Sequence, residues 1–282
     1  MENHGLPFKF APEQVILGPH IFYKGKHMIA SRELEPLEPR TLMSASFNLV
    51  SLLGYNRLGS SWTYSVSDTD VIDGKTHSGS GTATVGVSSK NATIGGVKSD
   101  LVTLAIGKLK LSAGWYTTSK GVFIDFSTES TSLGNISVSL NNTGVGPAAM
   151  VVGKTYTGKG TFSGSFSGTF KGQAYTATIS GSDTISGELV GTKTVHVTAG
   201  TFTNAVQGNY TANISGKLVV KVAGRTLPGT FSATHEQTFY AVPNVGIVKF
   251  TQIDDATVKV PGVVDTVTDL TANGSLVSDV LK

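Results

Sequence analysis

The chain has 282 residues, of which 39% are hydrophobic and 15% charged, with 34 glycines, 65 Ser or Thr and no cysteine. So few charges exclude a coiled coil or a solvated polyampholyte, and apolar residues this evenly spread exclude global disorder. Without cysteine there is no disulfide framework, thiolate zinc site or cysteine nucleophile. The formal charge of +3 comes from interspersed signs, with no gathered basic face of the kind a nucleic-acid partner requires.

Residues 1–46 form the first region. They hold three of the six His and three of the four Met, whereas the chain beyond is rich in Gly, Ser, Thr and Val. The segment reads as an extended tail. Val15-Ile-Leu is interrupted by Gly18-Pro19, too early for the 7–15-residue apolar core of a secretory signal. Further along, no stretch reaches the roughly 18 apolar residues of a transmembrane helix.

Within this tail, Glu33-Leu-Glu-Pro-Leu-Glu-Pro-Arg-Thr-Leu-Met-Ser-Ala45 resembles the LEPR-XLL segment near the N-termini of large extracellular planctomycete proteins. Leu37, Glu38, Pro39, Arg40 and Leu42 match, and Met43 stands where the second Leu is usual. The resemblance implies a targeting or processing motif and an extracellular or cell-surface address. It carries no catalytic meaning.

From Phe47 onward the chain predicts strands separated by turns. Trp62, Tyr64 and Val66 alternate with Thr63, Ser65 and Ser67, the period of a half-buried strand. Asp73-Gly74 predicts a tight hairpin. Ile136, Val138 and Leu140 alternate with Ser137 and Ser139. In Gly160–Gly172, Phe162, Phe166 and Phe170 share a face with the glycines, and the hydroxyl residues take the other. Aromatic rings over neighbouring glycines make the Phe face the core. Only Val263–Leu270 has an arguable helical period. The class is all-β.

An internal repeat divides this region. Trp115–Phe126 and Phe239–Phe250 each run from an aromatic pair through a turn and a Gly to a strand closing on Phe. Two related curved antiparallel sheets are expected, half-barrel or sandwich-like, over 47–146 and 147–282. Gly59–Tyr64, Ala199–Phe202 and Phe239–Lys249 also resemble recurring phrases in a loosely defined group of bacterial exported β proteins of unknown function. That resemblance implies a curved sheet with a hydrophobic concave face.

Chemistry is sparsely written. Gly164-Ser-Phe-Ser-Gly168 has Phe where a nucleophile would stand, and its context is a strand. His77, His196 and His235 show no pairing at metal-ligand spacing and read as solvent-facing strand residues. Asp68, Asp70 and Asp73 sit one residue off a calcium-loop register. Asp254-Asp255 reads as a turn after a strand. No enzyme, metal or cofactor is expected. An outer-membrane barrel is disfavoured because the aromatics do not fall into paired girdles.

The expected function is therefore a non-enzymatic structural or interaction role in an exported or cell-surface protein, with cell-envelope components as partners. The alternative is a carrier holding a lipid or other apolar ligand on a concave face built from Trp62, Trp115, Tyr116, Phe162, Phe166, Phe170, Phe239 and Tyr240. A weaker reading is a carbohydrate-binding module that uses exposed aromatics.

Overall fold

The computed structural model describes residues 45–281, apart from 56, 73–74, 95–96, 107–108, 132–133, 171–172 and 262–263. The LEPR-XLL-like residues 37–43 and the Asp73-Gly74 turn lie outside the described residues. A short strand β1 (Ser46–Asn48) leads into helix α1 (Leu49–Leu53), then β2 (Ser61–Ile72), β3 (Lys75–Ile94), β4 (Val97–Ile106), β5 (Leu109–Thr118), β6 (Gly121–Thr131) and β7 (Gly134–Gly146). A second short strand β8 (Ala149–Val151) precedes β9 (Thr155–Phe170), β10 (Gln173–Val197), β11 (Gly200–Val222), β12 (Arg225–Val242), β13 (Gly246–Val260) and β14 (Val264–Val280).

Among the described residues, β2–β7 and β9–β14 form one antiparallel ladder that closes into a barrel, and β1 pairs with β8 as a separate ribbon. The all-β expectation therefore holds, while the expected pair of sheets is corrected to a single sheet. Both boundaries between the two expected units are stitched. Asn135–Asn141 of β7 pairs with Thr161–Ser167 of β9, and Ser61–Ile72 of β2 pairs with β14. Two separate sheets would leave four edges with unpaired backbone groups, and closure joins those edges in two seams. Of the Val263–Leu270 pattern, residues 264–270 form the start of β14 rather than a helix, and Val263 lies outside the described residues.

Period-2 alternation sets inside from outside. Phe162, Ala177, Ile179, Leu218, Phe231 and Ala233 are buried in one apolar layer. Ser163, Ser165, Thr178, Ser180, Ser215 and Ser232 alternate with them and are exposed. Rings cover glycines on the next strand, where a Cβ would collide: Phe162 over Gly181 (2.7 Å), Phe239 over Gly208 (2.3 Å) and Phe250 over Gly274 (2.1 Å). Glycine here buys close packing of large apolar area at some backbone entropy cost.

One mouth of the barrel is capped by the β1–β8 ribbon and α1. Phe47 pairs with Met150, and Leu49, Leu52 and Leu53 are buried against Val122, Leu189, Val206, Phe239 and Ala241. Burying each such Leu contributes about 1.5–3 kcal/mol relative to leaving it in water. The five-residue helix is too short to show a period in the sequence, so capping defines it. Asn48 Oδ1 accepts the Ser51 N–H at 3.0 Å, and Gly54 ends the helix at φ 75°. Next to that cap, Trp62 is 1% exposed and its indole N–H donates to the Val245 carbonyl.

Candidate functional sites

The capped mouth keeps one opening. A pocket of about 240 Å³ is lined by Val50, Leu53 and Tyr55 from α1 and the segment after it, by Trp115, Tyr116, Thr117 and Val122 from the β5–β6 hairpin, and by Asn91, Lys98 and Asp100 from β3 and β4. Its walls are irregular. The ladder slips register between Ser89 and Ala92, between Gly114 and Trp115, and between Val122 and Phe123. Bulges of this kind re-aim side chains and concentrate beside sites. Trp115 and Tyr116 would face opposite sides of an unbroken strand, yet both reach this pocket.

The floor is aromatic. Trp115 meets Tyr55 edge-on at 5.2 Å, and Tyr55 in turn meets Trp62 at 6.0 Å. Burial pushes the Tyr55 phenol up to about 12, so it stays neutral at physiological pH. The rim is polar. Asn91 takes φ 52°, a left-handed conformation that Asn accepts more readily than most residues. Its N–H donates to Asp100 Oδ1 at 3.1 Å. Asp100 is the direct cross-strand partner of Trp115, which places carboxylate and indole side by side.

A second polar group lies inside the barrel. His235 Nδ1 pairs with Asp254 Oδ1, and the Gln252 amide donates to Asp254 Oδ2. His235 is 5% and Asp254 0% exposed. Tyr210 meets the imidazole edge-on at 5.9 Å. Nearby, Asp183 Oδ1 and Thr143 Oγ1 both sit over Gly160, within 2.5 Å of where its Cβ would be. Burial raises the carboxyl pKa of both Asp254 and Asp183, and the His235 hydrogen bond partly offsets this at Asp254. Burial likewise pushes the Tyr210 phenol far up. These groups are buried: Asp183 and His235 are each 5% exposed and Asp254 is 0% exposed.

Two sequence expectations are corrected here. His235 is buried rather than solvent-facing, and Asp254-Asp255 lies within β13 rather than in a turn. The signal was parity. His235 shares its face with Phe231, Ala233 and Phe239, and Asp254 shares its face with Phe250, Ala256 and Val260. His196 is exposed and hydrogen-bonds Thr201, and His77 is exposed. Asp68 and Asp70 alternate along β2 opposite Gly79 and His77.

A third feature is outside. A shallow groove of about 420 Å³ crosses β10–β13, lined by Ser182, Thr184, Asn213, Ser215, Thr234 and Asp255 among others. Short side chains on a bent sheet leave this hollow. Thr234 donates to Asn213 Oδ1 at 3.2 Å across it. No lining residue of this groove is aromatic.

The eight aromatics expected to form one apolar face are dispersed. Trp62 is buried in the layer behind α1, with Tyr240 packed at that layer's edge. Phe239 lies beneath α1. Phe162 is in the opposite layer beside Phe231 at 5.6 Å, and Phe166 meets Tyr175 at 6.2 Å. Phe170 ends β9 with its side chain outside the described part. Tyr116 stacks on Phe123 at 5.3 Å. Only Trp115 and Tyr116 meet at the mouth pocket.

No family model matches the chain, and no curated protein matches it. Among solved structures, a protein described as a lipoprotein from Parabacteroides distasonis overlaps at 10% identity and TM-score 0.26, covering 79% of this chain and 95% of its own. An exported protein with a YmcC-like fold from Bacteroides fragilis overlaps at 13% identity and TM-score 0.26, over 80% and 97%. Pseudomonas aeruginosa OccK8 (OprE) overlaps at 6% identity and TM-score 0.19, over 80% and 99%. TM-scores at this level are no guide to function.

Proposed function

We propose that the protein is a non-enzymatic, exported or cell-surface interaction module whose partners are cell-envelope components. The observation that carries this reading is the division between its two faces. Inside, the apolar side chains of all three layers are consumed in packing. Outside, the long strands present rows such as Ser182–Ser215–Ser232–Thr257, a wettable surface suited to polar contacts. A barrel that sits in lipid needs an outward apolar band, and the rows across β10–β13 are polar instead. No helix among the described residues is long and apolar enough to cross a membrane. The external address is supported by the LEPR-XLL-like residues 37–43.

Native mass spectrometry of the full chain, purified gently from the source membrane fraction and from the medium, tests both halves. The expected result is recovery from either fraction with a mass free of lipid. Recovery from the cytosol alone would overturn the address. A reproducible adduct of lipid mass would overturn the packed-interior reading in favour of an apolar-ligand carrier.

A further inference from the structure

We infer that the mouth pocket binds one pyranose ring, either a free neutral sugar or the terminal residue of a glycan. This deepens the proposed role by naming a class of partner, and it stands on the pocket alone. Size comes first. About 240 Å³ lies below the roughly 300–1,000 Å³ of sites that enclose drug-sized ligands. The space suits a single small ring and cannot sheathe an acyl chain.

Charge comes second. The rim carries one cation, Lys98, and one carboxylate, Asp100, so it offers no net field to a phosphate, a polyanion or a metal ion. A neutral ligand with many hydroxyls is the better complement. A carboxylate accepts from two hydroxyls, an ammonium donates to a third, and the Asn91 amide can do either. The Asn91 N–H occupies Asp100 Oδ1, which helps hold the carboxylate in place for such a ligand.

Shape comes third. A pyranose has an apolar face of C–H groups that lies well on an aromatic ring. Trp115 supplies that ring, beside Asp100 and braced edge-on by Tyr55. Because both residues are fixed by strand pairing and aromatic contact, little side-chain entropy is lost on binding. The register slips at Ser89/Ala92, Gly114/Trp115 and Val122/Phe123 bring these groups together at one opening. An unbroken β5 would turn Trp115 and Tyr116 to opposite faces.

Two tryptophans make the test direct. Trp62 is 1% exposed and serves as an internal reference, whereas Trp115 lines the pocket. The full chain is titrated with neutral hexoses, N-acetylhexosamines and their disaccharides, with inorganic phosphate and an aromatic amino acid as controls. The readouts are the indole N–H resonance of Trp115 and calorimetric heat. A saturable shift of Trp115 but not Trp62 is expected for at least one neutral sugar, with Kd on the order of 1 mM or tighter. Asp100→Ala is expected to weaken it at least about tenfold, the scale of one lost charge-assisted hydrogen bond. Thr117→Arg, at an exposed rim position, blocks the opening without touching the floor and serves if the first variant misfolds. The inference is overturned if no neutral sugar gives a saturable shift, if binding survives Thr117→Arg, or if only phosphate or the aromatic amino acid binds. A chain that binds sugar yet resides in the cytosol sinks the export reading alone. One that is exported and binds no sugar sinks this inference alone.

Discussion

The two halves of the barrel use the same grammar at different lengths. Strands β2–β7 run from 10 to 20 residues, and β9–β14 from 15 to 25. The second half pairs without a slip from β9 to β10, from β11 to β12 and from β13 to β14, and its slips between β10 and β11 and between β12 and β13 lie toward the Gly200 and Gly246 turns. The first half slips repeatedly between β3 and β4, β5 and β6, and β6 and β7. Long unbroken ladders let rings settle over glycines and build a dry interior. Interrupted ladders forfeit some of that packing and gain a place where polar and aromatic side chains converge.

The two tryptophans give the sharpest contrast. Trp62 is enclosed by Tyr64, Val248 and Leu276 and hydrogen-bonded through its indole. Trp62→Ala is expected to cost about 3–5 kcal/mol, as for a large aromatic removed from a core. Trp115 is only partly buried, so Trp115→Ala should cost less than half of that. Urea midpoints with unchanged m-values measure both. Equal losses would mean that the mouth is as tightly built as the core, and the contrast would fail.

What could be read in advance follows the same division. The Gly160–Gly172 pattern, Phe with Gly against Ser with Thr, foretold which face of β9 is core because each residue pair repeats the same choice. The hairpin of Trp115–Phe126 and that of Phe239–Phe250 are both present, as β5–β6 and β12–β13. Closure was not legible, since which edge meets which is a long-range pairing that alternation leaves open. The buried His235–Asp254 contact is not legible from polarity, and only the parity of the neighbouring residues points to it. Nor was the mouth pocket legible. Its floor requires α1, which is only five residues long, and a bulge that brings Trp115 and Tyr116 to one opening.

Glycines test the same contrast at a smaller scale. An added Cβ at Gly181 would meet the Ser215 carbonyl at 2.1 Å and Phe162 at 2.7 Å. Backbone cannot swing aside, so Gly181→Ala should destabilise by about 1–3 kcal/mol, the usual cost of overpacking. Gly81 in β3 has nothing within 4 Å of that point. Gly81→Ala should fall within about 0.5 kcal/mol of the parent. Thermal midpoints of the two variants, measured side by side, would collapse the contrast if they moved together.

The smallest effect is expected at the seam where the halves meet, and it depends on pH. Asp183 of β10, in the second half, sits with Thr143 of β7, in the first, over Gly160. Burial raises its folded-state carboxyl pKa above the ordinary value. The folded protein then holds this proton more tightly than the unfolded chain does. Stability from the group is full below the ordinary carboxyl pKa and is lost as pH rises through the folded one. Asn cannot ionise, so Asp183→Asn should leave stability in acid nearly unchanged and raise the urea midpoint at neutral pH. Asp68 and Asp254 are raised in the same direction, so the variant should retain part of the parent's decline. Parallel curves would mean that folding leaves this carboxyl unshifted, and a parent that gains on the variant as pH rises would show that the Asp183 carboxylate is paired in the folded state. The seam would then be an electrostatic link between the halves instead of a cost borne by their closure.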